Sequence, residues 1–191
     1  MRVIAGAYRG RSLRTVVGAQ VRPTSDRLRE TLFNILAPRI RGSRFFDVCA
    51  GSGAIGIEAL SRGASFVTFV ESERRACSAI EANLRTLGIA EGVKLISRDA
   101  RTALKQLTEA SEQFDIVFFD PPYASELYEH FLSGLPASGL ISSDSVVIVE
   151  HRAKHILAGA YSTLRLTRRV KQGESALSFY ELGDNPQAAA Q

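Results

Sequence analysis

From residue 44 onward, short apolar runs alternate with amphipathic stretches. Phe45-Phe46-Asp47-Val48, residues 66–70, 93–97, 114–119 and 145–150 are rich in β-branched and aromatic residues. Runs of this length and composition read as strands buried on both faces. Between them, residues 53–61, 73–87, 100–107 and 125–132 carry helical periodicity, with Gly63 and Gly88 placed as stops. Two last strands, 164–170 and 175–181, are joined at Gly173. Strand–helix alternation predicts an α/β fold: a mostly parallel seven-stranded sheet with helices on both faces.

The first 43 residues follow a different pattern. Residues 1–16 read as a β-hairpin with its turn at Gly6 to Gly10. Residues 18–22 form a loop, and a helix enters at Thr24 or Ser25 as N-cap. Leu28, Leu32, Ile35 and Leu36 fall on one face of that helix, and Pro38 is expected to end it. Three regions follow: an extension over 1–43, a main domain over 44–183, and a tail over 184–191 expected to be disordered.

Charge sharpens this division. The chain has 191 residues and a net charge of +4. Residues 1–44 hold ten arginines and no lysine against Asp26 and Glu30, which gives +8; the remainder holds fourteen Lys/Arg against eighteen Asp/Glu, which gives −4. Arginine's planar fork pairs with phosphate and stacks on bases, so a basic arm on a mildly acidic body predicts a nucleic-acid partner. Arg2, Arg9, Arg11, Arg14, Arg22 and Arg27 are the candidate contacts. The arm is expected to serve that partner and not the chemistry.

No apolar run is long enough to span a bilayer, and no secretory h-region stands at the N-terminus. Cys49 and Cys77 lack metal spacing and read as core thiols in a reducing compartment, so a cytoplasmic location is expected. No metal site is expected. The three histidines show no ligand pattern, and His151 and His155 read as a solvated helix face.

Chemistry concentrates at the carboxyl ends of the strands, where open α/β sheets bind ligands. Gly51, Gly53 and Gly56 satisfy G-x-G-x-x-G, and Glu71 stands where a ribose-binding acid would. This keeps a dinucleotide oxidoreductase in play. Asp47 argues against it, because a carboxylate facing the ligand suits a cation better than a pyrophosphate. A side chain at Gly53 is expected to fill ligand space. Asp99 follows the third strand, as a ligand group or as a cap for the next helix. The fourth strand stops at Asp120-Pro121-Pro122-Tyr123: a carboxylate, rigid carbonyls and an aromatic ring, suited to an exocyclic amine on a stackable base.

The order Asp47-x-x-x-Gly51-x-Gly53, Glu71, Asp99, Asp120-Pro-Pro-Tyr123 resembles the Rossmann-like class I S-adenosylmethionine-dependent methyltransferases. The resemblance implies that Asp47, Ala50, Gly51, Ser52, Gly53, Glu71, Asp99, Ala100 and Asp120 hold S-adenosylmethionine. It implies that Asp120, Pro121, Pro122 and Tyr123 are catalytic. Met1-Arg2-Val3-Ile4-Ala5-Gly6, Arg22-Pro23-Thr24-Ser25-Asp26-Arg27 and Glu58-Ala59-Leu60-Ser61-Arg62-Gly63 are similar to the bacterial RsmD family. That family methylates the N2 amine of one guanine in 16S ribosomal RNA. The implied partner is small-subunit rRNA or the small ribosomal subunit, met by a monomer without a membrane. An adenine-N6 methyltransferase on DNA or RNA uses the same quartet. A nucleic-acid-binding protein with a vestigial cofactor fold is the reading without catalysis.

Overall fold

The computed structural model describes residues 1–15, 25–122 and 125–183. The elements are α1 (Asp26–Ile40), β1 (Arg44–Val48), α2 (Ala54–Ser61), β2 (Phe66–Glu71), α3 (Arg74–Leu87), β3 (Val93–Ser97), α4 (Ala100–Glu109), β4 (Ile116–Phe119) and α5 (Ser125–Gly134). A 3₁₀ turn (Pro136–Ser138) precedes β5 (Val146–Arg152), β6 (Ala160–Tyr161), β7 (Leu164–Gln172) and β8 (Ser175–Leu182). They form one sheet in the order β3-β2-β1-β4-β5-β8-β7-β6. The first five strands are parallel, and β8, β7 and β6 add antiparallel pairs. All seven expected strands are present. The eighth, β6, is a two-residue edge strand too short to leave a periodic signal.

Both faces of the sheet are covered, which explains the uninterrupted apolar runs. Phe45, Phe69, Phe118 and Ile148 pack with α1, α2 and α3; Phe46, Val70, Phe119 and Val149 pack with α4 and α5. Successive residues of β1 and β4 therefore enter opposite cores. The order reverses beside β1, whose neighbours are β2 and β4. A crevice opens outside the strand ends at such a switch point.

Two local expectations are corrected, and a third, the hairpin, is qualified. Pro38 does not end α1, which runs on to Ile40. Its missing N–H would have faced the carbonyl of exposed Asn34, so water can satisfy that group, and buried Ile40 anchors the last turn. The hairpin over residues 1–16 is, in its described part, short: an antiparallel bridge between Arg2 and Ser12, with Val3 N donating to Arg11 O, Gly10 N to Val3 O and Leu13 N to Met1 O. Others of its backbone groups pair with the body: Ile4 N and Ala5 N donate to the Glu58 carboxylate, and Ala7 N donates to Ser61 O. His151 and His155 do not share a helix face: His151 is buried in β5 with Nε2 2.8 Å from Ser178 Oγ, and His155 stands in the turn that follows.

The described extension shares a core with the sheet. Val3, Leu13, Leu28, Leu32, Phe33 and Leu36 are buried in one cluster with Phe45, Ile57 and Phe118. Ser25 caps α1 by accepting from the Leu28 N–H at 3.2 Å. Arg22, Thr24 and the tail from 184 lie outside the described residues.

Candidate active site

The parallel ladder brings the ends of β1, β2, β3 and β4 side by side. Asp47 pairs with Phe69 on one side and Phe118 on the other, and Asp120 N donates to Val48 O at 3.2 Å. A cavity of about 330 Å³ opens there. Asp47, Ala50, Gly51, Ser52, Glu71, Asp99, Ala100, Asp120 and Pro122 all line it. Pro121 is buried behind it, and Tyr123 lies outside the described residues.

The glycine loop is held by carboxylates. Glu71 Oε2 accepts from Gly51 N at 2.8 Å, while its Oε1 accepts from Ser72 N and Glu73 N. Asp47 Oδ2 accepts from Gly56 N at 2.9 Å, and Gly53 N donates to Ala50 O. The loop amides that a pyrophosphate would need are thus engaged, two of them by acids. An anion would meet Asp47 at the start of α2. The electrostatics of the site select against a dinucleotide.

Gly53 does not line the cavity. It sits at φ +75°, and a Cβ there would lie 3.1 Å from Ile80 Cγ1 and 3.3 Å from Phe69 Cε1. Gly53 therefore turns the loop into α2 against the core, and a side chain would strain the fold before it met a ligand. Cys49 is also corrected: it is only half-buried, adopts φ +62° and lines the cavity. Burial of the thiol, with Glu71, Asp120 and Asp47 adding to it, pushes it far above the ordinary range and disfavours the nucleophilic thiolate.

Asp99 does cap α4. It accepts from Arg101 N and Thr102 N at 3.0 Å and from Thr102 Oγ1 at 2.7 Å, and these bonds, the hydroxyl's first, hold its carboxyl below the usual range. Capping leaves it on the cavity wall. Burial pushes the Asp120 carboxyl well above the ordinary range, and the charges of Glu150 and Asp47 add to the effect. Burial also pushes Asp47 up to about 7, opposed by the Gly56 N–H and reinforced by Glu71. The acids are packed tightly enough that a positive group between them would be strongly favoured.

The expected separation of arm and cavity does not hold in this geometry. Met1, Thr15 and Arg29 also line the cavity. Arg29 is fully buried in α1, and its Nη2 donates to Arg2 O at 2.6 Å and to Asp26 Oδ1 at 3.0 Å. Its Nε and Nη1 meet no acceptor among the described residues. Glu58 is equally buried; it accepts from Ile4 N at 2.8 Å, Ala5 N at 3.0 Å and Arg62 Nε at 2.7 Å. Gly6 lets the arm approach α2, since a Cβ there would stand 1.8 Å from Ser61 O. One signal for these anchors was readable: Glu58 is the single charge in the otherwise apolar run Ala54–Leu60. The arm's own side chains turn outward, and Arg2, Arg9, Arg11, Arg14 and Arg27 are exposed.

Five parallel strands with a reversal beside β1, an antiparallel return and acids at successive strand ends make this a Rossmann-like class I methyltransferase fold. The chain belongs to the family described as Conserved hypothetical protein 95, the RsmD family, whose model matches residues 1–181. It is 35% identical over 181 residues to Ribosomal RNA small subunit methyltransferase D of Escherichia coli, covering 95% of this chain and 89% of that one. The protein of the same name from Haemophilus influenzae is 40% identical over 151 residues, 78% of each chain. The solved structure of yhhF from Escherichia coli superposes with a TM-score of 0.85 at 35% identity, covering 97% of this chain and 99% of that one.

Proposed function

We propose that the protein transfers a methyl group from S-adenosylmethionine to the exocyclic N2 of a guanine in small-subunit ribosomal RNA. The observation that carries this reading is the convergence of Asp47, Glu71, Asp99 and Asp120-Pro121-Pro122 on one cavity, in a chain of this family. The donor set suits a cationic ligand with ribose hydroxyls and an amine to bond. Asp47 and the Ala50–Ser52 loop would hold the methionine part, Glu71 the ribose, and Asp99 with Ala100 the adenine. When bound, S-adenosylmethionine supplies an electrophilic methyl group on a sulfonium.

Asp120 and the Pro121 carbonyl would accept from the guanine amine and orient its lone pair toward the incoming methyl. Positioning of this kind accounts for much of a transfer rate. Burial and the neighbouring acids raise the Asp120 carboxyl, and a sulfonium bound beside it would favour the ionised, acceptor form. Tyr123 would stack on the extruded base. Residues 44–183 would supply the reacting groups and residues 1–43 the RNA contacts, Arg22 among them, with Met1, Thr15 and Arg29 closing one wall of the cavity as well. The partner is rRNA or the small ribosomal subunit, and the enzyme acts in the cytoplasm as a monomer.

The test incubates the protein with methyl-labelled S-adenosylmethionine and unmodified small-subunit rRNA or subunits, then identifies the labelled nucleoside. N2-methylguanosine is expected. N6-methyladenosine would transfer the reading to the adenine class, and absence of both labelling and cofactor binding would overturn it.

A further inference from the structure

Asn83, on α3, is buried at 1% exposure, although nothing on that helix needs an amide. Its side chain makes three bonds outside the helix. Oδ1 accepts from Arg14 N at 2.7 Å, and Nδ2 donates to Arg14 O at 3.0 Å and to Ser52 O at 3.0 Å. The first two are the pair a neighbouring strand residue would make. Only one orientation of the amide serves all three groups, because a flip would face donor to donor and acceptor to acceptor. Aspartate lacks the donors and leucine lacks both functions.

The two ends of this bridge face different partners. Ser52 belongs to the glycine loop and lines the cavity. Arg14 carries an exposed guanidinium, and Thr15 beside it lines the same cavity. The other arm anchors, Glu58, Ser61 and Arg29, hold backbone between Arg2 and Tyr8, and among the described residues their side chains make no hydrogen bond to the glycine loop. Among these anchors Asn83 is the one that touches both arm and loop.

We infer that Asn83 is a positioning residue that couples cofactor binding to RNA binding, by tying the Ser52 carbonyl of the cofactor loop to the Arg14 backbone of the RNA-facing arm. This rests on the functional reading above. A cofactor that orders Gly51 and Ser52 fixes the amide, and the fixed amide orders Arg14 for a phosphate. Linkage requires the effect to be reciprocal.

The test measures RNA affinity with and without saturating S-adenosylhomocysteine, and S-adenosylhomocysteine affinity with and without RNA, using unmodified small-subunit rRNA. In the wild type each should tighten the other by the same factor, about fivefold or more. Asn83→Asp keeps the acceptor for Arg14 N and removes both donations, so the factor should fall to about one. Ser61→Ala is the control: it loosens the arm at Ala5 and Tyr8 without touching the loop, and should keep the factor. A wild-type factor of one with both ligands bound, an unchanged factor in Asn83→Asp, or an equal loss in Ser61→Ala would overturn the inference. A wild type that binds neither ligand would sink the functional reading and this inference with it. If Asn83→Asp does not fold, hydrogen exchange in the wild type decides. S-adenosylhomocysteine should slow the Arg14 amide and leave the Tyr8 amide unchanged; equal behaviour of the two would overturn the coupling.

Discussion

The cavity and the arm are held in opposite ways. At the strand ends the backbone is fixed by the parallel ladder, and the side chains of Asp47, Glu71, Asp99 and Asp120 are placed by it. In the arm the backbone has only a short hairpin ladder, and among the described residues no strand of the sheet pairs with it. It is fixed to the rest of the molecule by side chains, chiefly Glu58, Ser61, Asn83 and Arg29. Anchoring by backbone leaves the arginines of the arm free to face outward. The cavity can thus be altered one side chain at a time, whereas the arm stands or falls with buried polar groups far from it in sequence.

The severest test of this contrast is Glu58→Ala. It leaves Arg62 and the Ile4 and Ala5 amides without their carboxylate, in a site where Glu58 has no exposure. Removing one member of a buried charged pair costs about 3–5 kcal/mol. Urea unfolding should show that loss, and limited proteolysis should cut within residues 1–15. A variant as stable as the wild type would mean that the arm is not anchored there.

Asp120→Ala probes the other side of the comparison. It should cut single-turnover methyl transfer by about 10²–10³-fold, the range for losing one preorganised polar group at a reacting centre. Unfolding stability should stay at or above the wild-type value, since burial makes the charged form costly. Near-normal transfer would reduce Asp120 to the end of a turn.

The same contrast governs what the sequence made legible. Parallel strands buried on both faces must be apolar until they emerge, so the acid at the end of β1, β2 or β4 stands out against its run. Of the arm's anchors Glu58 alone carries such a mark, as the one charge in an apolar run. Asn83 sits in a helix with four other charged or polar residues from Ser78 to Thr86, and only the fold shows that its face is covered. Arg29 is one of ten arginines in a basic stretch and looks like the rest. Gly53 was legible as a glycine that the loop requires, but the direction of its missing Cβ depends on where Phe69 and Ile80 pack. Pro38 misled because a proline in a last turn removes one bond on a wet face, which the helix survives.

Acid crowding in the cavity gives a pH test of moderate size. Asp47 titrates near 7 in the folded protein, above its ordinary value of 3.8. A raised carboxylate favours the native state while protonated, so this stabilisation is full below about pH 4 and is lost as pH rises through 7. A sulfonium reverses the preference by favouring the ionised acid. The affinity ratio of S-adenosylmethionine to S-adenosylhomocysteine should therefore rise by about tenfold between pH 6 and pH 8, one pKa unit's worth of differential binding. The two ligands share their amino-acid part, so the ratio isolates the sulfonium. Calorimetry with both ligands at both pH values checks this, and Asp47→Asn should flatten the rise. A flat wild-type ratio would place the positive charge away from Asp47 and Asp120.

The smallest expected effect falls on the arm's outward face. Arg9 and Arg14 are exposed, and neither side chain bonds to the body among the described residues, whereas Arg11 Nη2 donates to Thr86 O at 3.0 Å. Arg9→Ala should therefore leave stability and cofactor affinity unchanged. RNA affinity should fall by less than about tenfold, and its salt dependence should flatten by about 0.7–0.9 log units if one phosphate contact is lost. Arg11→Ala should cost some stability as well, because it releases a contact to α3. Equal salt slopes for wild type and Arg9→Ala would mean that the exposed guanidinium meets no phosphate. A loss of cofactor affinity in Arg9→Ala would mean that the arm communicates with the cavity by a route other than the Arg14–Asn83–Ser52 bridge.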